Sequence, residues 1–237
     1  MANQFTPDTD VRSAAASQFD VGLRRYMQHV YNYMAGGLAL TGVVAYLAAS
    51  GGLYQSIVGT PLYWIVLLAP LGLVMFLSFR IEKMSLGTAQ LSFWVYAGLV
   101  GLSLAGIFLV YTGASIARVF FITAATFGSM SLYGYTTKRD LTQVGSFLFM
   151  GLIGIVIASL VNMFIGSTAL QLTISVIGVI VFVGLTAWDT QRIRAMYVEA
   201  DGAVAVGKKA IMGALALYLD FLNLFLMLMQ LFGDRRR

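Results

Sequence analysis

The chain reads as an all-α, polytopic membrane protein, and three features say so. Its 237 residues are 59% hydrophobic and only 11% charged, where soluble domains carry about 25% charged residues. Seven apolar runs follow one another, each near the ~20 residues that a helix needs to cross a ~30 Å hydrocarbon core. Lipid offers no partner to an open backbone N–H or C=O, so each run should be helical.

In order, residues 1–26 are polar and read as a mobile cytoplasmic tail with Arg12, Arg24 and Arg25 towards its membrane end. The tail lacks an apolar core and is not expected to be a cleavable signal. The membrane domain, 27–237, holds spans at about 29–50, 61–79, 88–111, 117–136, 144–165, 169–190 and 210–232. Gly51, Gly52, Gly59 and Pro61 punctuate the first connection, and Gly166-Ser167 makes the fifth a tight turn. The stretch 191–209 is the largest loop after the tail. Glycines such as Gly36, Gly37, Gly101, Gly178 and Gly184 read as close helix contacts, because small residues let backbones approach in lipid.

Charge sets the expected orientation. The tail and the connections after the second, fourth and sixth spans hold eleven Lys and Arg, including Arg80, Lys83, Lys138, Arg139, Arg192, Arg194, Lys208 and Lys209. The opposite side has four: Arg118, Arg235, Arg236 and Arg237. The positive-inside rule then places the N-terminus in the cytoplasm. The terminal Arg triple leaves two options for the last helix, a full crossing or a re-entrant one, and the charge balance favours seven crossings.

The last run, Ile211–Phe232, carries one acid, Asp220, ~15 Å from either end. An ionised carboxylate at the centre of a lipid-facing helix costs about 2.5–3.5 kcal/mol on insertion scales. Asp220 should therefore face protein. Gly213, Leu217, Asp220, Asn223 and Gln230 recur at helical spacing, so this helix reads as the axis of a bundle. Asp189 closes the sixth run, on a face with Ser175, Gly178, Phe182 and Thr186. It can be an interfacial acid paired with Arg192 or Arg194, or it can meet Asp220 inside the bundle. Two carboxylates in one site cannot both ionise cheaply, so such a pair would share a proton and titrate together. Deprotonated, it could attract a cation such as calcium, and Asp189 and Asp220 would then be its transient ligands.

Arg80 is either a snorkelling anchor or a counter-charge that reaches Asp189. Asn223, Thr186 and Asn162 are candidate pore-lining residues. Asn32, Thr123 and Thr126 could also line a cavity, though interhelical hydrogen bonding suits them better. Arg118 and His29 read as interface residues, and Trp64, Trp94 and Trp188 as an aromatic belt. With no cysteine and a single histidine, thiolate chemistry and a histidine metal cluster are excluded within one chain. There is no phosphate-binding loop, and the Tyr-Asp and Gly-x-Gly-Asp motifs of intramembrane aspartyl proteases are missing. No enzyme activity, resident cofactor or nucleic-acid partner is expected.

YMQHVYNYMAGGLALTG in the first span, LTAWDTQRIR ending the sixth and GALALYLDFLNLFLMLMQLFG in the last resemble bacterial members of the Bax inhibitor-1 (transmembrane Bax inhibitor motif) family. The resemblance covers essentially all seven spans. It implies a central C-terminal helix wrapped by two three-helix layers, and a pH-sensitive calcium leak governed by paired aspartates, here Asp189 and Asp220. It implies a second-span arginine latch, which falls nearest Arg80. The basic Arg235–Arg237 tail departs from the acidic tails of some relatives.

Together these observations lead to a pH-gated cation leak channel in the bacterial inner membrane, with the lipid bilayer, calcium and protons as partners. The alternative is a regulatory binding partner of a membrane-anchored ATP-dependent protease or another membrane protein, acting through tail 1–26 or loop 191–209. A proton-coupled transporter is a third class.

Overall fold

The computed structural model describes the backbone of residues 7–236 and the side chains of 19–236. The described residues form nine α-helices: α1 (Pro7–Ser50), α2 (Leu53–Ile57), α3 (Pro61–Arg80), α4 (Leu86–Leu104), α5 (Gly106–Val110), α6 (Gly113–Thr136), α7 (Thr142–Ile165), α8 (Thr168–Ala195) and α9 (Ala203–Phe232). Seven helical segments are long and apolar enough to cross a membrane.

Local chemistry explains most boundaries. Pro61 opens α3, where its missing N–H costs nothing. The Ser85 hydroxyl accepts from the Thr88 N–H at 3.1 Å and starts α4. Thr112 and Ser167 cap α6 and α8 in the same way. Gly166, at φ 68°, ends α7 in the left-handed region that favours glycine.

Three expectations need correction. The helix that carries the first span begins earlier than residue 29: residues 19–26 are helical, and Leu23 and Tyr26 are buried. Residues 1–6, also assigned to the tail, lie outside the described residues. The third crossing is interrupted at Ala105, whose N–H turns to Leu102 O, and α5 restarts with Gly106 against the Tyr54 ring. The expected loop 191–209 is mostly helix. α8 continues to Ala195, α9 begins at Ala203, and the short link is held by Lys209 Nζ on Met196 O and on the Asp201 carboxylate.

α9 is the axis. It packs against α1, α4, α6 and α8, while α3 rests on α4 and α7 rests on α8. This gives one layer of α1, α3 and α4 and another of α6, α7 and α8, with α9 between them. Close backbone contact holds the second layer together: a Cβ on Gly134 of α6 would collide with the Ala187 carbonyl of α8.

The C-terminal segment decides between a crossing and a re-entrant helix. Thr112 N–H donates to Asp234 O at 3.0 Å, Arg236 N–H to Val110 O at 2.8 Å, and Asp234 N–H to Ser115 Oγ at 2.8 Å. The tail therefore sits with the α5–α6 turn, at the opposite end of the bundle from Lys138, Arg139 and Arg192. α9 thus runs the full length of the bundle, as a complete crossing requires.

Candidate functional site

α8 and α9 run antiparallel, and two contacts set their register. Ile193 lies against Gly213, and Met227 lies against Gly178. In this register Asp220 stands across from Thr186, about one helical turn from the level of Asp189. The two carboxyl groups therefore face each other between α8 and α9 and interact. Asp220 is 5% exposed, and its Oδ2 is enclosed and meets no N–H or hydroxyl donor among the described residues. A buried acceptor without a donor costs roughly 1–3 kcal/mol, and a proton shared between the two acids removes that cost.

Asp189 has a wetter side, with 13% of its side chain exposed. Arg192 Nη1 stands 3.8 Å from its Oδ1, one turn along α8. The cation beside the pair is thus Arg192 and not Arg80. Arg80 is exposed at the end of α3, a helix that packs on α4, and it forms no ion pair among the described residues. Arg194 is also elsewhere: its Nη1 donates to Tyr135 O at 2.9 Å, with the guanidinium over the Tyr135 ring.

Of the candidate lining residues, Thr186 stands across from Asp220. It is fully buried and donates to Phe182 O at 2.7 Å. Asn223 turns back on its own helix, donating from Nδ2 to Leu219 O at 2.8 Å. Asn162 is displaced furthest from its expected role. Its Oδ1 accepts from the Ser167 N–H at 3.0 Å and caps the α7–α8 turn, at the far end of α8 from Asp189. Asn32 is exposed, Thr126 is half-buried and donates to Ile122 O at 2.9 Å on its own helix, and Thr123 is buried on Val119 O. Trp94 packs on Gly36 and Tyr33 in the bundle.

Hydroxyl contacts flank the acids on both sides. Tyr31 meets Ser131 at 2.6 Å and Ser131 meets Thr190 at 3.0 Å, tying α1, α6 and α8 together. Thr41 meets the Tyr218 hydroxyl at 2.6 Å and donates to Ala97 O at 2.9 Å, tying α1, α9 and α4. Neither set was singled out in the sequence, where isolated Ser, Thr and Tyr residues in apolar runs carry no pairing signal. Arg118, expected as an interface anchor, forms an ion pair with Asp234 at 2.6 Å. A cavity of about 490 Å³ opens between α1 and α6 with Tyr31 and Ser131 in its wall, but neither aspartate lines it. Among the described residues no group of three or more His, Cys, Asp or Glu assembles. The pair alone supplies too few oxygens for the 6–8 that calcium takes.

A family model described as "Inhibitor of apoptosis-promoting Bax1" matches residues 23–237. The chain belongs to the Bax inhibitor-1 family. Within it, the chain is 54% identical over 219 residues to the Rickettsia prowazekii protein RP147, covering 92% of this chain and 93% of that one. It is 50% identical over 229 residues to the inner membrane protein YbhL of Escherichia coli, covering 95% and 98%. A Streptococcus pyogenes membrane protein, SpyM3_0260, is 37% identical over 221 residues, covering 92% and 96%. Bax inhibitor-1 family membership makes this a membrane protein, and the matched region takes in α1 from Leu23 onward, all the later helices, and both Asp189 and Asp220.

Proposed function

We propose that this protein is a passive, pH-gated cation leak in the bacterial inner membrane, with calcium as its cargo and its N-terminus in the cytoplasm. One observation carries the reading: Asp189 and Asp220 face each other between α8 and α9, and an enclosed Asp220 oxygen meets no donor among the described residues. Likeness to a protein named for the inner membrane supports the location, and the eleven-to-four distribution of basic residues supports the orientation.

With one proton shared, the pair holds α8 on α9 and leaves close-packed protein around the acids. Removing that proton puts two anions side by side in a medium of low dielectric, where their repulsion is large. α8 and α9 then separate at this level, water enters, and the carboxylates contribute part of the oxygen shell of a passing cation. Leak therefore rises as pH rises through the titration of the pair. Neither acid is assigned catalytic chemistry.

The test is calcium flux into dye-loaded proteoliposomes across a pH series. Wild-type protein should show a sigmoidal pH response. Asp189→Asn and Asp220→Asn should each flatten it, because an amide cannot lose the proton. Unaltered flux and unaltered pH response in both variants would sink the reading.

A further inference from the structure

A cavity of about 560 Å³ lies where the turn between α6 and α7 meets the end of α8. Lys138, Arg139 and Arg192 line it, with Trp188 in its wall. The volume is within the ~300–1,000 Å³ typical of ligand pockets. Its scaffold is fixed by Gln191, whose Oε1 accepts from the Leu141 N–H at 2.9 Å and whose Nε2 donates to Arg139 O at 2.8 Å. Those two bonds hold the turn carrying Lys138 and Arg139 against α8.

The cations here differ from their neighbours at the same end of the bundle. Arg194, Lys208 and Lys209 all donate to protein carbonyls. Among the described residues, the side chains of Lys138, Arg139 and Arg192 donate no hydrogen bond to protein, and the one ion pair they make is the 3.8 Å approach of Arg192 to Asp189. The Arg192 guanidinium also lies 5.4 Å from the centre of the Trp188 ring. The acid in the cavity, Asp140, is committed to the start of α7: its Oδ1 accepts from the Thr142 hydroxyl at 2.6 Å and the Thr142 N–H at 2.9 Å. Cationic donors are thus left in excess, beside a tryptophan, at the end of two membrane-crossing helices. That is the chemistry of an interfacial phosphate site.

We propose that this cavity binds the phosphate of an anionic lipid headgroup, and that the bound phosphate competes with Asp189 for Arg192. The competition clause rests on the proposed role of the aspartate pair, whereas the binding clause does not.

The experiment uses the full chain in nanodiscs of phosphatidylcholine, with and without phosphatidylglycerol, and native mass spectrometry to count retained lipid. Lys138 and Arg139 are exposed, so K138Q/R139Q should fold. Wild type should retain phosphatidylglycerol preferentially, and retention should weaken about fivefold per charge removed in K138Q/R139Q and in R192Q. R194Q should retain it like wild type. Millimolar inorganic phosphate in phosphatidylcholine discs should not raise the thermal unfolding temperature. Equal retention by K138Q/R139Q, an equal loss in R194Q, or stabilisation by inorganic phosphate matching that by the lipid would each overturn the lipid site. In flux assays, phosphatidylglycerol should alter the wild-type leak at least twofold and leave K138Q/R139Q unaffected. Retention that falls with no change in lipid response overturns competition alone. A leak indifferent to both Asp→Asn changes overturns the gating reading and leaves the lipid site standing.

Discussion

α9 and α7 are both apolar enough to cross a bilayer, and α7 is the more apolar of the two, yet 67% of the α9 span is buried and only 17% of the α7 span. The more apolar helix is the outer one. Hydropathy measures the free energy of leaving water, which is gained equally against lipid and against protein, so it marks a crossing and says little about place in the bundle. Position follows from what lipid will not accept. α9 carries Asp220 and a face of small and polar residues, whereas α7 presents Phe147, Met163 and Phe164 outward.

Packing should separate the two helices most strongly. Leu224 of α9 is fully buried and Phe164 of α7 is 85% exposed. Leu224→Ala should cost about 2–4 kcal/mol through lost contacts and a residual cavity, and Phe164→Ala should cost almost nothing, as read by reversible unfolding in mixed micelles. Comparable losses would mean that α7 is covered by protein in the assembled state.

Glycine gives the next contrast. Gly134→Ala must push the Ala187 carbonyl away and should cost about 1–3 kcal/mol. Gly154→Ala on α7 meets nothing within 4 Å among the described residues and should stabilise by about 0.5–1 kcal/mol, the usual helix-interior gain. The same unfolding assay reads both. A smaller effect belongs to the polar tie between α1 and α9. Thr41→Val removes the bonds to Tyr218 and Ala97, and should cost about 0.6 kcal/mol and no more than ~1.7, the range for interhelical hydrogen bonds in membranes.

The smallest effect is at the α7 entrance, outside the spans. The Thr142 hydroxyl and N–H hold the Asp140 carboxyl below the usual carboxylate range. A lowered folded-state pKa contributes stability that is present above the unfolded value and lost as pH falls through the folded one. Asp140→Ala should therefore lower the unfolding temperature slightly at neutral pH, and the difference from wild type should vanish in acid. A difference that persists in acid would assign the effect to lost packing.

Much of this could be read from residues alone. The seven crossings and the central place of the last helix followed from apolar run lengths and from one acid that lipid would reject. The nearness of Asp189 and Asp220 was legible only as one of two options, since helical phase says which face a residue occupies and not which neighbour it meets. Arg80 and Asn162 show where reasoning from spacing failed. Each had the right chemistry for the site, but α3 packs on α4, away from α8, and Asn162 is a full helix length from Asp189.

By itself the sequence determined what must enter the membrane and which acid must be hidden there, because both depend on solvation free energies that each residue carries with it. Only the tertiary structure decided that Arg192 stands beside the pair, that the C-terminal tail closes on the α5–α6 turn, and which hydroxyls bridge the layers. Those outcomes depend on the register between helices, and register is set by close contacts such as Ile193 on Gly213 and Met227 on Gly178. No single run of sequence contains both sides of such a contact.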